Sequence, residues 1–210
     1  MDPIGRRPWP LVTGAAAVAA IAAVSALFLS RETADRILLH DGRVAQEFLN
    51  SIVAADASGG KLFDAAGPVL DSFASHATNL PGIVRANIYS PDGFIRYSTE
   101  PNLIGLKFGG NEELAASFAG ELISKLAEVS DDDKPEHLAL NRLSGEQLVE
   151  AYIPVSGGNG RIAAVVEFYK KPAAIKAVIA DLTRLIWITA ALGAALSILV
   201  LTAVWRGRGR

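Results

Sequence analysis

A small set of arginine and tyrosine residues gives this chain the chemistry to hold a small polar molecule. Arg85 and Arg96 lie in two short runs of β-branched and aromatic residues, which are separated by the turn sequence Ser90 to Gly93. An arginine on a partly buried sheet surface can hold a carboxylate through two parallel hydrogen bonds, and aromatic rings can wall a small pocket. The residues expected to bind such a ligand are Arg85, Tyr89, Arg96, Tyr97 and Tyr152.

Strand alternation predicts which side chains face the ligand. In the strand expected from Ile83 to Ser90, one side carries the side chains of Ile83, Arg85, Asn87 and Tyr89. For the strand expected from Phe94 to Thr99, the pattern leaves open which side points inward. The opposite side of the first strand carries small apolar residues that suit packing beneath helices, namely Val84, Ala86 and Ile88.

Two later strands offer carboxylates and phenols to the same surface. The fourth strand contributes Glu150 and Tyr152, and the fifth contributes Glu167 and Tyr169. Two interpretations of the arginines therefore stay open. They bind a ligand, or they lie on a solvent-facing edge or pair with one of these glutamates.

Other kinds of chemistry find little support in the sequence. His40, His76 and His137 lack the close spacing of a metal site, and Asp131 to Asp133 lack the alternating spacing of a calcium loop. The glycine-rich segment from Ser156 to Arg161 lies between two predicted strands, which favours a hairpin turn over a phosphate site. With no cysteine and no nucleophile motif, we expect no catalytic residue, metal or cofactor in this chain.

Two uncharged apolar segments predict that the chain is a membrane protein. They run from Leu11 to Leu29 and from Leu185 to Val204, and each approaches the roughly 20 residues that a membrane-crossing helix needs. The first could instead be a cleaved signal peptide. Because the apolar region of a signal peptide is usually only about 7–15 residues long, an uncleaved anchor is favoured.

Basic residues at both ends predict the orientation. Arg6 and Arg7 precede the first segment, and three arginines follow the second, so the positive-inside rule makes both termini cytoplasmic. Between them, 21 acidic residues against 14 basic ones disfavour nucleic acid as a partner. The expected organisation is a cytoplasmic N-terminus (1–10), transmembrane helix 1 (11–30), an extracytoplasmic sensor domain (31–183), transmembrane helix 2 (184–205) and a basic cytoplasmic tail (206–210).

The hydrophobic periodicity predicts an α+β domain between the two membrane segments. Helices are expected directly after the first membrane segment, over Lys61–Thr78, over Asn111–Val129 and from Pro172 onwards. A five-stranded antiparallel sheet with helices on one side satisfies this order. Its strands are expected at Ile83–Ser90, Phe94–Thr99, His137–Leu143, Leu148–Val155 and Arg161–Tyr169.

A resemblance to a known family follows from several features together. They are a membrane helix that runs into a long helix, the hairpin "YSPDGFIRYST", the segment "NLIG", and a three-stranded finish that enters a second membrane helix. This arrangement resembles the single Cache domain, a PAS-like extracytoplasmic sensor module of bacterial membrane receptors such as sensor histidine kinases. The resemblance implies a small-molecule pocket on the sheet face without helices, a lid formed by the segment from Glu100 to about Lys134, and a homodimer.

The expected function is that of a signal-transduction sensor in the bacterial inner membrane. Its ligand would be a small molecule such as a carboxylate, and the last strand would pass a shift through transmembrane helix 2 to the cytoplasm. Only 206–210 follow that helix, so a kinase-type output of a two-component system is expected in a region missing here or in a separate protein. The alternative is a ligand-free, membrane-tethered PAS-like scaffold that docks a partner protein.

Overall fold

The computed structural model describes residues 9–55, 63, 67–107, 110–128, 146–157 and 160–207. Within these residues the helices are α1 (Trp9–Ala55), α2 (Pro68–Thr78), α3 (Glu112–Phe118) and α4 (Ala173–Gly207), with a 3₁₀ turn at Pro101–Leu103. The strands are β1 (Ile83–Tyr89), β2 (Ile95–Ser98), β3 (Ile123–Glu128), β4 (Gln147–Ser156) and β5 (Ile162–Lys170). The α+β class predicted from the sequence is confirmed.

The chain divides into two compact units. One contains Met1–Ala34 and Lys176–Arg210, and the other contains Asp35–Ile175. In the first unit, α1 and α4 supply apolar segments that are long enough to cross a membrane, by length and composition. As predicted, the first apolar segment continues into the following helix without a break, because α1 is helical throughout its 47 residues.

The strands form one antiparallel sheet in the order β2-β1-β5-β4-β3. Each neighbouring pair is antiparallel, and β5 is the central strand. The turn between β1 and β2 follows the prediction, since the Gly93 amide donates to the Ser90 carbonyl at 2.8 Å and Gly93 has a φ of 84°. That positive φ suits glycine.

One sheet face packs against α1 and α2 and is apolar. Its helix-side cluster joins residues such as Leu49 of α1 and Phe73 of α2 to small and branched strand residues such as Ala86 and Ile88. Gln46 of α1 adds a hydrogen bond of 2.9 Å from its side-chain amide to the Pro154 carbonyl. The strand residues of the cluster are Ala86, Ile88, Ala151, Ile153, Val155, Ala164, Val166 and Phe168.

The helix predicted from Asn111 to Val129 is wrong in its second half. The structure ends α3 at Phe118 and begins β3 at Ile123. Gly120 lies at a φ of 101°, its amide donates to the Ser117 carbonyl, and the Glu121 amide donates to the Ala116 carbonyl. These two hydrogen bonds and the left-handed glycine are a Schellman motif, which terminates a helix.

In the part of the chain that the structure describes, the third strand is accordingly β3, and the strand predicted at His137–Leu143 is not tested. That segment and Asp131–Asp133 lie outside the described residues. The predicted helix over Lys61–Thr78 is described as regular helix from Pro68 onwards, where proline occupies the first helical turn.

Candidate functional site

The face of the sheet opposite α1 and α2 carries a set of polar side chains that are buried except for Lys125. They lie in two rows that cross the strands, as the register of the sheet shows. The first row contains Arg85 of β1, Tyr169 of β5, Glu150 of β4 and Lys125 of β3. The second row contains Ser98 of β2, Asn87 of β1, Glu167 of β5 and Tyr152 of β4.

Glu167 is the centre of this polar network and is completely buried. Its Oε2 accepts from Asn87 Nδ2 at 2.6 Å and from the Tyr89 hydroxyl at 2.9 Å, and its Oε1 accepts from the Tyr169 hydroxyl at 2.7 Å. Because a buried carboxylate is costly without hydrogen-bond partners, these three donors are what keep Glu167 in the interior.

Glu150 forms a second carboxylate centre beside the first. Its Oε1 lies 3.1 Å from the Tyr169 hydroxyl and 3.2 Å from the Tyr152 hydroxyl, and its Oε2 lies 3.5 Å from Lys125 Nζ. Lys125 also pairs with Glu113 of α3. The Tyr169 hydroxyl therefore lies between the two glutamates and connects both rows.

Arg85 and Asn87 extend the network towards β2. The Arg85 guanidinium carbon lies 4.3 Å from the centre of the Tyr169 ring, within cation–π range. The Asn87 Oδ1 accepts from the Ser98 hydroxyl at 2.6 Å. All five strands of the sheet thus contribute side chains to one polar surface.

The surroundings raise the pKa of two phenols. Burial raises the pKa of Tyr152 well above its usual value of about 10, and the negative charges of Glu167 and Glu150 add to that effect. Burial, followed by the charge of Glu167, raises the pKa of Tyr169 in the same direction. Both hydroxyls are therefore protonated at neutral pH and can donate to the carboxylates.

The segment between β2 and β3 covers this surface. Leu103 of the 3₁₀ turn and Leu114 of α3 pack with Tyr89, Ile95 and Tyr152. The Asn111 Oδ1 caps α3 by accepting from the Leu114 amide at 2.8 Å, and its Nδ2 donates to the Tyr152 hydroxyl at 3.0 Å. The covering helix is thus anchored to the network through its own cap.

This arrangement agrees with the first part of the predicted lid, whereas Ile123–Glu128, which the prediction also assigned to the lid, form the sheet strand β3. Leu103 packs on the sheet, whereas Ile104 is about half exposed. Phe108 and Gly109, which the prediction also assigned to the lid, lie outside the described residues.

The structure brings together three of the five residues that the sequence assigned to ligand binding. Arg85, Tyr89 and Tyr152 are buried on the network face. Arg96 and Tyr97 lie elsewhere. Arg96 donates to the Ser90 hydroxyl at 2.9 Å and to the Asp92 carboxylate at 3.1 Å, within the turn. The Tyr97 ring packs against the helix-side cluster, on the other face.

A β-bulge interrupts the alternation of side chains along β2. Ile88 pairs with Tyr97, but the next residue, Tyr89, pairs with Ile95, so Arg96 is the extra residue. A bulge inserts one residue and reverses the side on which the following residues lie. Ile95 therefore faces the network side although it is two residues from Tyr97.

A second bulge lies at the start of β1 and reverses the sides predicted for its first two residues. The register shifts between Ile83 and Arg85, and Ile83 packs against the helix-side cluster while Val84 packs near Leu148 and Tyr169. Alternation had predicted the reverse for these two residues. For the rest of β1 the predicted sides are confirmed, because Ala86 and Ile88 belong to the helix-side cluster and Asn87 to the network.

Sequence reasoning placed several other members near the pocket without assigning them a role in it. Asn87, Glu150, Glu167 and Tyr169 were recognised by their position in the strands, and the repeated Glu-x-Tyr pattern of β4 and β5 is their signal. Lys125 was missed, because its segment was assigned to a helix. The ligand-binding role of the five predicted residues stays a prediction.

Comparison with known proteins gives structural similarities only. No protein-family model and no curated protein matches the chain. The sensor domain of E. coli DcuS has a TM-score of 0.40 and 13% identity, over 66% of this chain and 99% of that one. The extracellular domain of rpHK1S-Z16, a protein named as a histidine kinase, has a TM-score of 0.45 and 18% identity, over 73% and 58%.

A third similar structure is an extracellular ligand-binding receptor from Desulfohalobium retbaense, with a TM-score of 0.40 and 14% identity, over 67% of this chain and 26% of that one. These similar structures are sensory or extracellular ligand-binding domains, the class that the sequence resemblance named. This chain covers 58% of the length of the rpHK1S-Z16 domain and 26% of the length of the Desulfohalobium retbaense receptor, which is less than two thirds of either. With TM-scores below 0.5, the similarities assign neither a fold nor an activity to this chain.

Proposed function

We propose that this chain is a membrane-anchored signal-transduction sensor whose extracytoplasmic domain binds a small polar molecule on the network face of the sheet. In this proposal α1 and α4 each cross the bacterial inner membrane and both termini are cytoplasmic. The output is of the kinase type and resides in another region or another protein, so this chain is not itself an enzyme. The sensor acts as a homodimer.

The observation that carries the proposal is a buried polar network on the strand that leads into α4. Glu167 and Tyr169 belong to β5, and only Lys171 and Pro172 separate the end of β5 from the start of α4. Burying two glutamates and an arginine stabilises a fold less than apolar residues of similar volume. We infer that these groups are present because they recognise a ligand.

The composition of the network defines the ligand class to be tested. Glu150 and Glu167 supply acceptors, while Arg85, Asn87 and three tyrosine hydroxyls supply donors. Such a mixed surface suits a molecule that carries both donors and acceptors, for example an amino acid. A ligand with a carboxylate group, which Arg85 alone would predict, also belongs to that class.

A ligand screen with a matched pair of variants tests the proposal. The full chain in lipid nanodiscs is screened by thermal unfolding against carboxylates, amino acids and amines, because a ligand that binds the folded state raises the Tm. Tyr169→Phe removes a hydroxyl from the network, whereas Tyr97→Phe removes one from the opposite face. We expect affinity to fall about tenfold or more in Tyr169→Phe and to stay unchanged in Tyr97→Phe.

Two results would overturn the proposal. One is a ligand whose affinity is the same in Tyr169→Phe and in the unmodified chain. The other is repeated failure to find any stabilising compound while a membrane partner co-purifies, which favours the scaffold alternative.

Transmission to α4 is tested separately from binding. The sequence contains no cysteine, so Thr202→Cys introduces a unique labelling position in α4. A fluorophore there should report a ligand-dependent change that Tyr169→Phe weakens in parallel with binding. Normal binding without any change in the fluorophore would remove the transmission step from the proposal.

A further inference from the structure

A cavity lies where α1 passes the end of β5. Its volume is about 510 Å³, which falls within the range of roughly 300–1,000 Å³ for small-molecule sites. The walls are mainly apolar and belong entirely to the unit Asp35–Ile175. They include Val44 and Phe48 of α1, Leu80 and Pro81 before β1, and Lys171 and Ile175 after β5.

The walls of this cavity, called the groove below, carry two lysines but only one acidic residue. Lys170 Nζ pairs with Asp41 Oδ2 at 2.7 Å, which uses the aspartate. Lys171 is exposed at the wall, and its side chain makes no ion pair with any other residue that the structure describes. One ammonium group beside an apolar cavity therefore remains available to an incoming anion.

We propose that the groove binds a free amphiphile with an apolar chain and one anionic group, such as a medium-chain carboxylate. Val44, Phe48 and Ile175 surround the chain, and the Lys171 ammonium pairs with the carboxylate, as in charge-assisted hydrogen bonds generally. This site is distinct from the polar network, and the proposal does not depend on the network binding a ligand.

The groove lies next to the segment that connects β5 with α4. The Lys171 amide donates to the Gly82 carbonyl at 2.8 Å, which fastens the end of β5 to the loop before β1. Lys170 fastens it to α1 through Asp41. An occupant that contacts Lys171 and Ile175 therefore acts on the segment that connects β5 with α4.

Hydrogen–deuterium exchange on the full chain in phosphatidylcholine nanodiscs tests the proposal. Sodium decanoate is the probe, and neutral decanol and cationic decyltrimethylammonium are the matched comparisons. We expect decanoate to slow the exchange of amides in 80–82 and 170–175 with a saturable concentration dependence. The two comparison compounds should require concentrations about tenfold higher or more.

Variants at exposed positions separate the site from general surface charge. Lys171→Glu should weaken decanoate protection about tenfold, and Ala174→Trp should abolish it by filling the groove. Val44→Trp fills the same space from the α1 side, at a residue that is about half exposed. Lys176→Glu, an exposed lysine outside the groove lining, should leave the protection unchanged.

Four outcomes would overturn the inference. They are equal protection by decanol, equal weakening in Lys176→Glu, unchanged protection in both tryptophan variants, and absence of saturable protection in the unmodified chain. Phosphatidylglycerol nanodiscs without decanoate provide the remaining arm. If they alone protect the same amides, the occupant is a lipid and not a free amphiphile.

Discussion

The two faces of the sheet are built from alternate residues of the same strands, and both are buried, yet their chemistry is opposite. On β5, Phe168 faces α1 and α2 within an apolar cluster, whereas its neighbours Glu167 and Tyr169 face a network of hydrogen bonds. Apolar contacts need only volume and shape, but each buried polar group needs a partner in a fixed direction. One face therefore stabilises the fold through apolar packing, while the other is held by directional hydrogen bonds, which the proposed ligand recognition would use.

The largest expected effect of a single substitution is on the apolar face. Phe168→Ala removes a side chain that is 1% exposed and leaves a cavity, so the free energy of unfolding should fall by about 3–5 kcal/mol. Near-ultraviolet circular dichroism of the tyrosines during guanidinium unfolding measures it. Val69→Ala, at an exposed position of α2, is the control and should change stability by less than about 1 kcal/mol. Similar losses in both variants would contradict the role of this face.

On the network face, the free energy of unfolding should depend on hydrogen-bonding groups more than on side-chain volume. Glu167→Ala leaves the donors of Asn87, Tyr89 and Tyr169 without their acceptor, and should cost roughly 3 kcal/mol. Glu167→Gln keeps an acceptor oxygen and should cost only about 1–2 kcal/mol. The same unfolding assay gives both values. Equal losses would show that this face, too, is held by volume alone.

Alkaline pH should destabilise the network face specifically. In the folded chain the pKa of Tyr152 is raised, so the unfolded phenol ionises near pH 10 while the folded one keeps its proton. The stabilising contribution is complete below pH 10 and is lost as the pH rises above it, by about 1.4 kcal/mol per pH unit. Tyr152→Phe should reduce the slope by that amount in unfolding measured from pH 9 to pH 12. An unchanged slope would argue against a buried, protonated Tyr152.

The smallest expected effect lies outside both faces, at the exposed turn. The hydrogen bond from Ser90, followed by the charge of Arg96, lowers the pKa of Asp92. A lowered folded pKa stabilises the fold above the unfolded value of about 3.9, and this contribution disappears as the pH falls through the folded pKa. Asp92→Asn should therefore lose a small part of the acid dependence of the Tm below about pH 4. A large loss would show that Arg96 matters beyond the turn.

For many strand residues, the side of the sheet on which they lie could be predicted from the sequence, because side chains alternate between the two sides along each strand. The sides of Ala86, Asn87, Ile88 and Tyr89 followed from the strand period alone. The interior positions of Glu150 and Glu167 in their strands followed in the same way. The hydrogen-bond partners of these two glutamates could not be predicted. The register between strands that are distant in sequence decides which side chains meet.

The failures have equally specific causes. In 111–129, Leu114, Phe118, Leu122 and Leu126 satisfy a helical period, and only Gly120 indicates that the chain changes structure there. Arg96 was expected in the pocket because a bulge cannot be recognised from residue types alone. Its guanidinium instead completes the hydrogen bonds of the turn.

The bulge at Val84 makes the length of β1 as informative as its residue types. Ile83 and Arg85 lie on opposite sides of the sheet only because Val84 is accommodated between them. A homologue that lacks one residue here would have a regular strand, and its residue before the arginine would pack against the helices as Ile83 does. Alignments of related chains should therefore treat a gap at this position as the loss of one side chain from the network face, and not as a shift of the remaining strand residues to the other face.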